Sequence, residues 1–181
     1  MQIVHDPWER LLDDARADTQ SQQRVRERWL RRQAQESATL LGTLVDLAEA
    51  GSGASIGIGG GRRHDGVPIG IGSDFVVIDE RSERVAIRLG AVTLVRPRPG
   101  SGASPASGDR AAALDLSLVE LLARLSGAQP EVAVALGTGE IVAGSLLAVG
   151  VDVLTLRVAP GADGIAYCSA AAVSSVRFRS G

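Results

Sequence analysis

The sequence predicts an α+β protein, mainly β: an N-terminal helical arm and two small five-stranded bent antiparallel barrels, each preceded by a short helix. Short apolar runs separated by glycine-containing turns predict the strands, because such runs with tight connections are typical of small barrels. The same pattern recurs 78 positions further along the chain, which indicates a duplicated module. A stretch rich in proline, glycine, serine and alanine lies between the two copies.

These features divide the chain into four parts: a charged helical arm at 1–36, a first module at 37–97, a flexible linker at 98–112 and a second module at 113–181. The run PRPGSGASPASGD at 97–109 has no hydrophobic periodicity. Such a segment buries too little apolar surface to offset the entropy lost on ordering. It therefore predicts a boundary between the two modules.

The arm carries a helix start signal in DPWE at 6–9, with a capping Asp, a Pro at the first helical position and a Glu three residues after the cap. Its apolar stripe lapses across 17–23, where Thr19 and Ser21 are possible caps, so the arm is either one helix or two. The stripe consists of Trp8, Leu11, Leu12, Ala15, Val25, Trp29 and Leu30.

A second apolar stripe predicts the helix that opens the first module; it ends before Gly51 and comprises Leu40, Leu41, Leu44 and Leu47. The run GSGASIGIGGG at 51–61 contains a loose GxG pattern. A strand pattern follows it, whereas a dinucleotide site requires a helix at that point, so the run predicts a hairpin turn. Pro68 falls inside the next strand pattern and predicts an edge or bulge position.

The second module shows its strand pattern more clearly than the first. Gly137–Gly139 supplies turn residues that accept positive φ, and Gly144 inside a long strand predicts a bend. The predicted strands are Val132–Leu136, Glu140–Val149, Val153–Val158, Ile165–Ser169 and Val173–Phe178.

The duplication follows from the placement of matched residues when the chain is shifted by 78 positions. The apolar positions of the two predicted helices coincide, and so do the glycines of the predicted turns. Leu40, Leu44 and Leu47 match Leu118, Leu122 and Leu125, while Gly59, Gly61, Gly66, Gly72 and Asp74 match Gly137, Gly139, Gly144, Gly150 and Asp152. After a further shift of three residues, 91–96 matches 172–177.

The composition argues against several classes of chemistry. All 19 basic residues are arginine, and without lysine the chain has neither a Schiff-base lysine nor a Walker-type phosphate loop. One cysteine and two histidines do not supply a disulfide framework or a zinc cluster. Asp74 and Asp152 each lie in a Gly-x-Asp turn, which favours a turn role over an acid/base pair. Cys168 alternates with apolar residues, which predicts a small buried side chain.

Charge and hydropathy give expectations about location and partners. The net charge of -2 predicts no global attraction to polyanions, so any nucleic-acid contact is expected to be local. No apolar run is long enough to span a membrane, and the first residues do not form a signal-peptide pattern. Together with a single thiol, this predicts a cytoplasmic protein.

The second module resembles the Sm-like (LSm) fold, in which a helix precedes five bent strands. GTGEIVAGSLLAVGVDVLTLR at 137–157 and AYCSAAAVSSVRF at 166–178 carry the resemblance, and both copies together cover about residues 37–178. Tandem copies behind a charged helix also resemble an uncharacterised actinobacterial family. Other small barrels of the SH3-like kind share the same order of elements.

The RNA pocket of the bacterial Sm-like chaperones does not carry over to this chain. In that family the pocket uses a Lys-His pair after a Tyr, whereas Tyr167 is followed here by Cys168 and Ser169. The chain also contains no Asn, which many Sm proteins use to hold a base. The resemblance therefore implies the architecture without its RNA-binding residues.

We expect a non-catalytic protein without a cofactor, whose function is to bind and assemble with other proteins. Barrel edge strands pair with a partner strand or another subunit, or the two copies pair within one chain. The arm lays its apolar face on a partner or on the barrels. The alternative is RNA binding through the arginine-rich arm and the first hairpin. Candidate contact residues for either partner are Arg24, Arg26, Arg28, Trp29, Arg31, Arg32, Arg62, Arg63 and His64.

Overall fold

The computed structural model describes residues 23–81, 83–100, 110–158 and 164–179. Helix α1 covers 23–36, α2 is Leu40–Glu49 and α3 is Leu118–Ser126. The first five strands are β1 (Ala54–Ile58), β2 (Arg62–Ile71), β3 (Phe75–Glu80), β4 (Glu83–Arg88) and β5 (Val92–Pro97). The other five are β6 (Glu131–Leu136), β7 (Ile141–Val149), β8 (Val153–Val158), β9 (Ile165–Ser169) and β10 (Val173–Phe178).

The ten strands form one open antiparallel sheet in the order β5-β1-β2-β3-β4-β10-β6-β7-β8-β9. The predicted mainly β class is confirmed, but the arrangement as two separate barrels is not. The physical reason is that β4 pairs with β10 of the other repeat, so the backbone groups along one side of each strand are satisfied across the repeats. The sheet is therefore continuous from the first repeat into the second.

The two halves have the same internal topology and register. Each half follows the order fifth-first-second-third-fourth strand. Ala54 pairs with Gly66 in the first half, and Val132 pairs with Gly144, both 78 positions later, in the second. The offset found in the sequence thus reappears as equivalent strand pairs.

A β-bulge occurs at the same place in both halves. The register shifts between Pro68 and Gly70 in β2, and between Leu146 and Ala148 in β7. This confirms the bulge predicted from Pro68, because a residue without a backbone N–H is tolerated where the pairing is interrupted. Equivalent bulges bend both halves of the sheet alike.

Strands β3 and β4 contribute to two cores, because successive side chains point to opposite faces. Phe75 and Ala86 belong to the core of the second repeat, beneath Leu118 and Leu122 of α3. The opposite face of the same two strands carries residues that belong to the core of the first repeat: Val76, Ile78, Val85 and Ile87. The second core therefore depends on strands of the first repeat.

Helices α2 and α3 begin at side-chain caps and cover equivalent strands. The Thr39 hydroxyl accepts a hydrogen bond from Gly42 N, and Ser117 with Glu120 forms a capping box. Hydrogen bonds from Ser117 hold the pKa of Glu120 below its usual value. Helix α2 packs on β2 and α3 on β7, as the duplication requires.

The end of the predicted linker and the first residues of the second module contact the first repeat. Arg110 forms ion pairs with Asp46 and Glu49 of α2, and Leu114 N donates to Ile71 O at 2.9 Å.

Thr19 and Ser21, which bear on whether the arm is one helix or two, lie outside the described residues. Within the described part, no helix is both long and apolar enough to cross a membrane.

Candidate protein-interaction edges

Helix α1 places the arginine-rich part of the predicted arm in solvent. Val25, Trp29 and Leu30 are 56%, 61% and 49% exposed, so the rest of the described chain does not cover this apolar face. RNA or protein binding by the arm stays a prediction. Its five exposed arginines are Arg24, Arg26, Arg28, Arg31 and Arg32.

The first hairpin does not present Arg62, Arg63 and His64 as one basic group. Side chains alternate along β2, so Arg63 is exposed while His64 is only 3% exposed. Arg62 is half-buried, and its Nη1 has no hydrogen-bond partner among the described residues. Only Arg63 is therefore fully available to a ligand at this position.

His64 lies where the two repeats meet. Its Nδ1 is 3.3 Å from Glu80 Oε2, and its Nε2 is 3.4 Å from Ser175 Oγ of β10. Burial lowers the pKa of His64; Glu80 raises it in part, and Arg177 and Arg62 lower it further. The net direction is downward, so the buried ring is neutral at pH 7.

We expect His64→Gln to remove an acid-sensitive part of the stability. Below pH 6.5, the usual pKa of histidine, the unfolded chain takes up a proton more readily than the buried ring. The folded state therefore loses stability as the pH falls, by up to about 1.4 kcal/mol per pH unit for this group. Urea unfolding at neutral and mildly acidic pH measures this loss. Equal pH dependence of wild type and variant would contradict the assignment.

Arg88 and Asp74 clamp the first repeat to the second. The Arg88 guanidinium donates to Val173 O at 3.1 Å, Ala170 O at 3.0 Å and Asp74 Oδ2 at 2.8 Å. The other carboxylate oxygen of Asp74 accepts from Leu118 N, the first backbone N–H of α3, at 2.6 Å. Asp74 thus does more than stabilise its own turn.

Arg177 of β10 makes the ionic contacts at the other end of this junction. Its guanidinium lies 2.7 Å from Glu80 Oε2 and 2.9 Å from Glu83 Oε2. Between the two clusters, β4 and β10 pair in antiparallel register, with Ile87 opposite Ser175. The junction is therefore a strand pair with a polar clamp at each end.

The outer strands of the sheet leave two edges open. We call the outer side of Val92–Pro97 the β5 edge and that of Ile165–Ser169 the β9 edge. Among the described strands, each has a neighbour on one side only. Large apolar side chains lie on both: Leu94 is 41% exposed on the β5 edge, and Ile165 and Tyr167 are 43% and 73% exposed on the β9 edge. Exposed apolar edge strands are templates for pairing with another chain.

The open edges are the repeat equivalents of the two strands that form the internal junction. A shift of 81 positions places β5 on β10 and β9 on β4. Leu118 and Ala86 are fully buried at the junction, whereas their equivalents Leu40 and Tyr167 are 40% and 73% exposed. The same positions are thus covered in the middle of the sheet and uncovered at its ends.

Most of the polar residues that join the two repeats at the ends of the junction have no equivalent at the open edges. Ser169 stands at the position of Arg88, and Val158 and Gly164 stand where Glu80 and Glu83 hold Arg177. Arg96 occupies the position of Arg177 and is exposed. Arg88 was not among the candidate residues predicted from the sequence. The signal that points to it is an arginine in an apolar strand with no arginine at the equivalent position of the other repeat.

The other two residues considered in the sequence, Cys168 and Asp152, lie in surroundings that favour a structural role. Cys168 is 4% exposed, and burial raises the pKa of its thiol, with a smaller contribution from Glu140. Asp152 is exposed, and no described residue forms an ion pair with it. No group of three or more His, Cys, Asp or Glu residues suited to a metal occurs in the described ranges.

Comparison with known proteins gives no relative from which a function would follow. No family model matches the chain, and no curated protein is significantly similar to it.

Proposed function

We propose that this chain is a non-catalytic assembly protein that binds further copies of itself through the β5 and β9 edges. One observation carries the proposal: the chain already contains one such contact, β4 with β10, and the open edges are the repeat equivalents of those two strands. Pairing β9 of one copy with β5 of the next would satisfy unpaired backbone groups and cover apolar side chains.

The internal junction specifies the register of the proposed contact. Val176 lies opposite Ala86 in the junction, and Arg177 lies opposite Val85. Their equivalents place Val95 of one copy opposite Tyr167 of the other, and Arg96 opposite Ala166. A one-residue slip would reverse the faces on which all these side chains lie, so this register is the one that buries Tyr167 as Ala86 is buried.

The junction also predicts a helix contact beside the paired strands. Asp74 accepts a hydrogen bond from Leu118 N at the start of α3. In the proposed contact, Asp152 of one copy lies beside Leu40 N at the start of α2 in the next. A carboxylate at a helix N-terminus is favourable because of the helix dipole and the unpaired N–H groups.

The contact joins two different edges, so it is a heterologous, head-to-tail interface. Each added copy leaves one β5 edge and one β9 edge open at the ends of the assembly. Interfaces of this kind close into rings when the rotation between copies allows it and otherwise form filaments. The function is therefore to build a repeating β assembly that presents the α1 arms in multiple copies.

Disulfide trapping tests the register. Two single-cysteine proteins, Val95→Cys and Tyr167→Cys, each also carrying Cys168→Ala, are mixed under mild oxidation. Opposite residues of antiparallel strands have Cβ atoms about 5 Å apart, close to the distance in a disulfide of about 4 Å. We expect a disulfide-linked heterodimer on a non-reducing gel.

Thr93→Cys is the control, because Thr93 lies two residues from Val95 on the same strand and is the more exposed of the two. Two residues displace the thiol by about 7 Å along a strand, which is too far for a disulfide with Tyr167→Cys. Equal trapping at both positions would contradict the register. A wild-type chain that is monomeric at every concentration would contradict the proposed function.

A further inference from the structure

A groove lies on the sheet beside α3, away from both open edges. Its cavity of about 390 Å³ is open to solvent. Strands of both repeats and helix α3 form its walls, so it exists only because the sheet is continuous. The lining residues are Ile69, Gly70, Val77, Arg84, Leu121, Leu125 and Phe178.

Arg84 is the only charged residue in this lining. Its cross-strand neighbours are Asp79 and Phe178, but no ion pair joins Arg84 to Asp79 or to another described residue. Ile69 of β2 and Leu125 of α3, which also line the groove, are 51% and 37% exposed. The groove therefore offers apolar contact with one available cation, which suits an apolar segment that carries carboxylates.

The charge of the groove discriminates between the two apolar segments of the arm. Trp29 lies among five arginines between positions 24 and 32, whose charge has the same sign as that of Arg84. The segment that contains Trp8, Leu11 and Leu12 has a net negative charge, opposite in sign to Arg84. Across 6–15 it carries one arginine and four carboxylates: Asp6, Glu9, Asp13 and Asp14.

We propose that residues 6–15 of this chain occupy the groove, with the apolar side chains against Ile69, Leu125 and Phe178 and a carboxylate paired with Arg84. The contact combines apolar burial with a charge-assisted hydrogen bond to a guanidinium. It involves neither the β5 edge nor the β9 edge, so it is independent of the proposed assembly.

Tryptophan fluorescence of the full chain tests the proposal, because the chain contains only two tryptophans, Trp8 and Trp29. Trp29→Phe leaves Trp8 as the sole reporter, and Trp8→Phe leaves Trp29, which is exposed. We expect the Trp8 reporter to emit at shorter wavelength and to be less accessible to acrylamide than the Trp29 reporter.

Groove variants in the Trp29→Phe background identify where Trp8 lies. Ile69→Glu places a carboxylate in the groove, and we expect it to shift the Trp8 emission to longer wavelength and remove its protection from acrylamide. Arg84→Glu has the same expected effect, whereas Arg84→Lys retains the charge and the protection. Ile141→Glu is the matched control, because Ile141 is an isoleucine of similar exposure (54%) outside the groove.

Two results would overturn the proposal. One is a Trp8 reporter as accessible to acrylamide as the Trp29 reporter. The other is a protected Trp8 that responds to Ile69→Glu no more than to Ile141→Glu, since the segment would then contact another surface. Circular dichroism of each variant checks that the fold is retained.

Discussion

Replacing Tyr167 with lysine should convert the assembled protein into monomers. Tyr167 is 73% exposed on the β9 edge, and in the proposed register it lies opposite Val95 and next to Arg96 of the neighbouring copy. The variant removes an aromatic ring from the contact and adds a charge of the same sign as Arg96. Loss of a central interface tyrosine costs about 2 kcal/mol or more, roughly a thirtyfold weaker association.

Sedimentation velocity over a concentration series measures this change. Ile141→Lys is the control, because it also replaces an exposed apolar residue by lysine, but on β7, which has a strand neighbour on both sides. We expect it to assemble as the wild type does. A Tyr167→Lys protein that sediments like the wild type would exclude the β9 edge from assembly.

Salt distinguishes this contact from RNA binding. The acidic residues that hold Arg177 at the internal junction have no equivalents at the β9 edge, so we expect the proposed intermolecular contact to be mostly apolar and backbone-mediated. Added salt screens exposed charges but does not weaken apolar burial. Binding of RNA through arginines would instead fall steeply with salt.

Local signals in the sequence were sufficient to predict most elements. The strands predicted at Val153–Val158, Ile165–Ser169 and Val173–Phe178 have the same bounds in the structure. Glycine turns and apolar runs define such strands without reference to the rest of the chain. The helix stripe beginning at Leu40 likewise became α2, which ends at Glu49, two residues before Gly51.

The continuous sheet did not follow from the sequence, because strand partners are a property of the whole chain. The apolar run Val85–Ile87 predicts a strand but does not specify whether β4 pairs within its own repeat or with β10. The linker between the repeats suggested independence, whereas Arg88 and Asp74 bind the second repeat directly. The open edges became visible only once this pairing was known.

Gly144→Ala should be the most destabilising single substitution proposed. A Cβ at Gly144 would lie 2.1 Å from Arg157 O and 2.8 Å from the Arg157 carbonyl carbon, both backbone atoms of the paired strand β8. The clash is relieved only by separating β7 from β8. We expect a loss of about 3 kcal/mol in the free energy of unfolding, measured in urea. Gly137→Ala is the control, because its new Cβ would lie at an ordinary van der Waals distance of 3.7 Å from Ala172 O.

The unfolding curve of Gly144→Ala also tests whether the repeats fold as one unit. Phe75 and Ala86 of the first repeat are buried in the second core, so disrupting that core exposes them and weakens β3 and β4. Those strands carry Val76 and Ile87 of the first core on their other face. Both cores should therefore unfold in one shifted transition. A second transition at the wild-type midpoint would mean that the first repeat is stable alone. That result would contradict the inference that the two cores unfold together because they share β3 and β4.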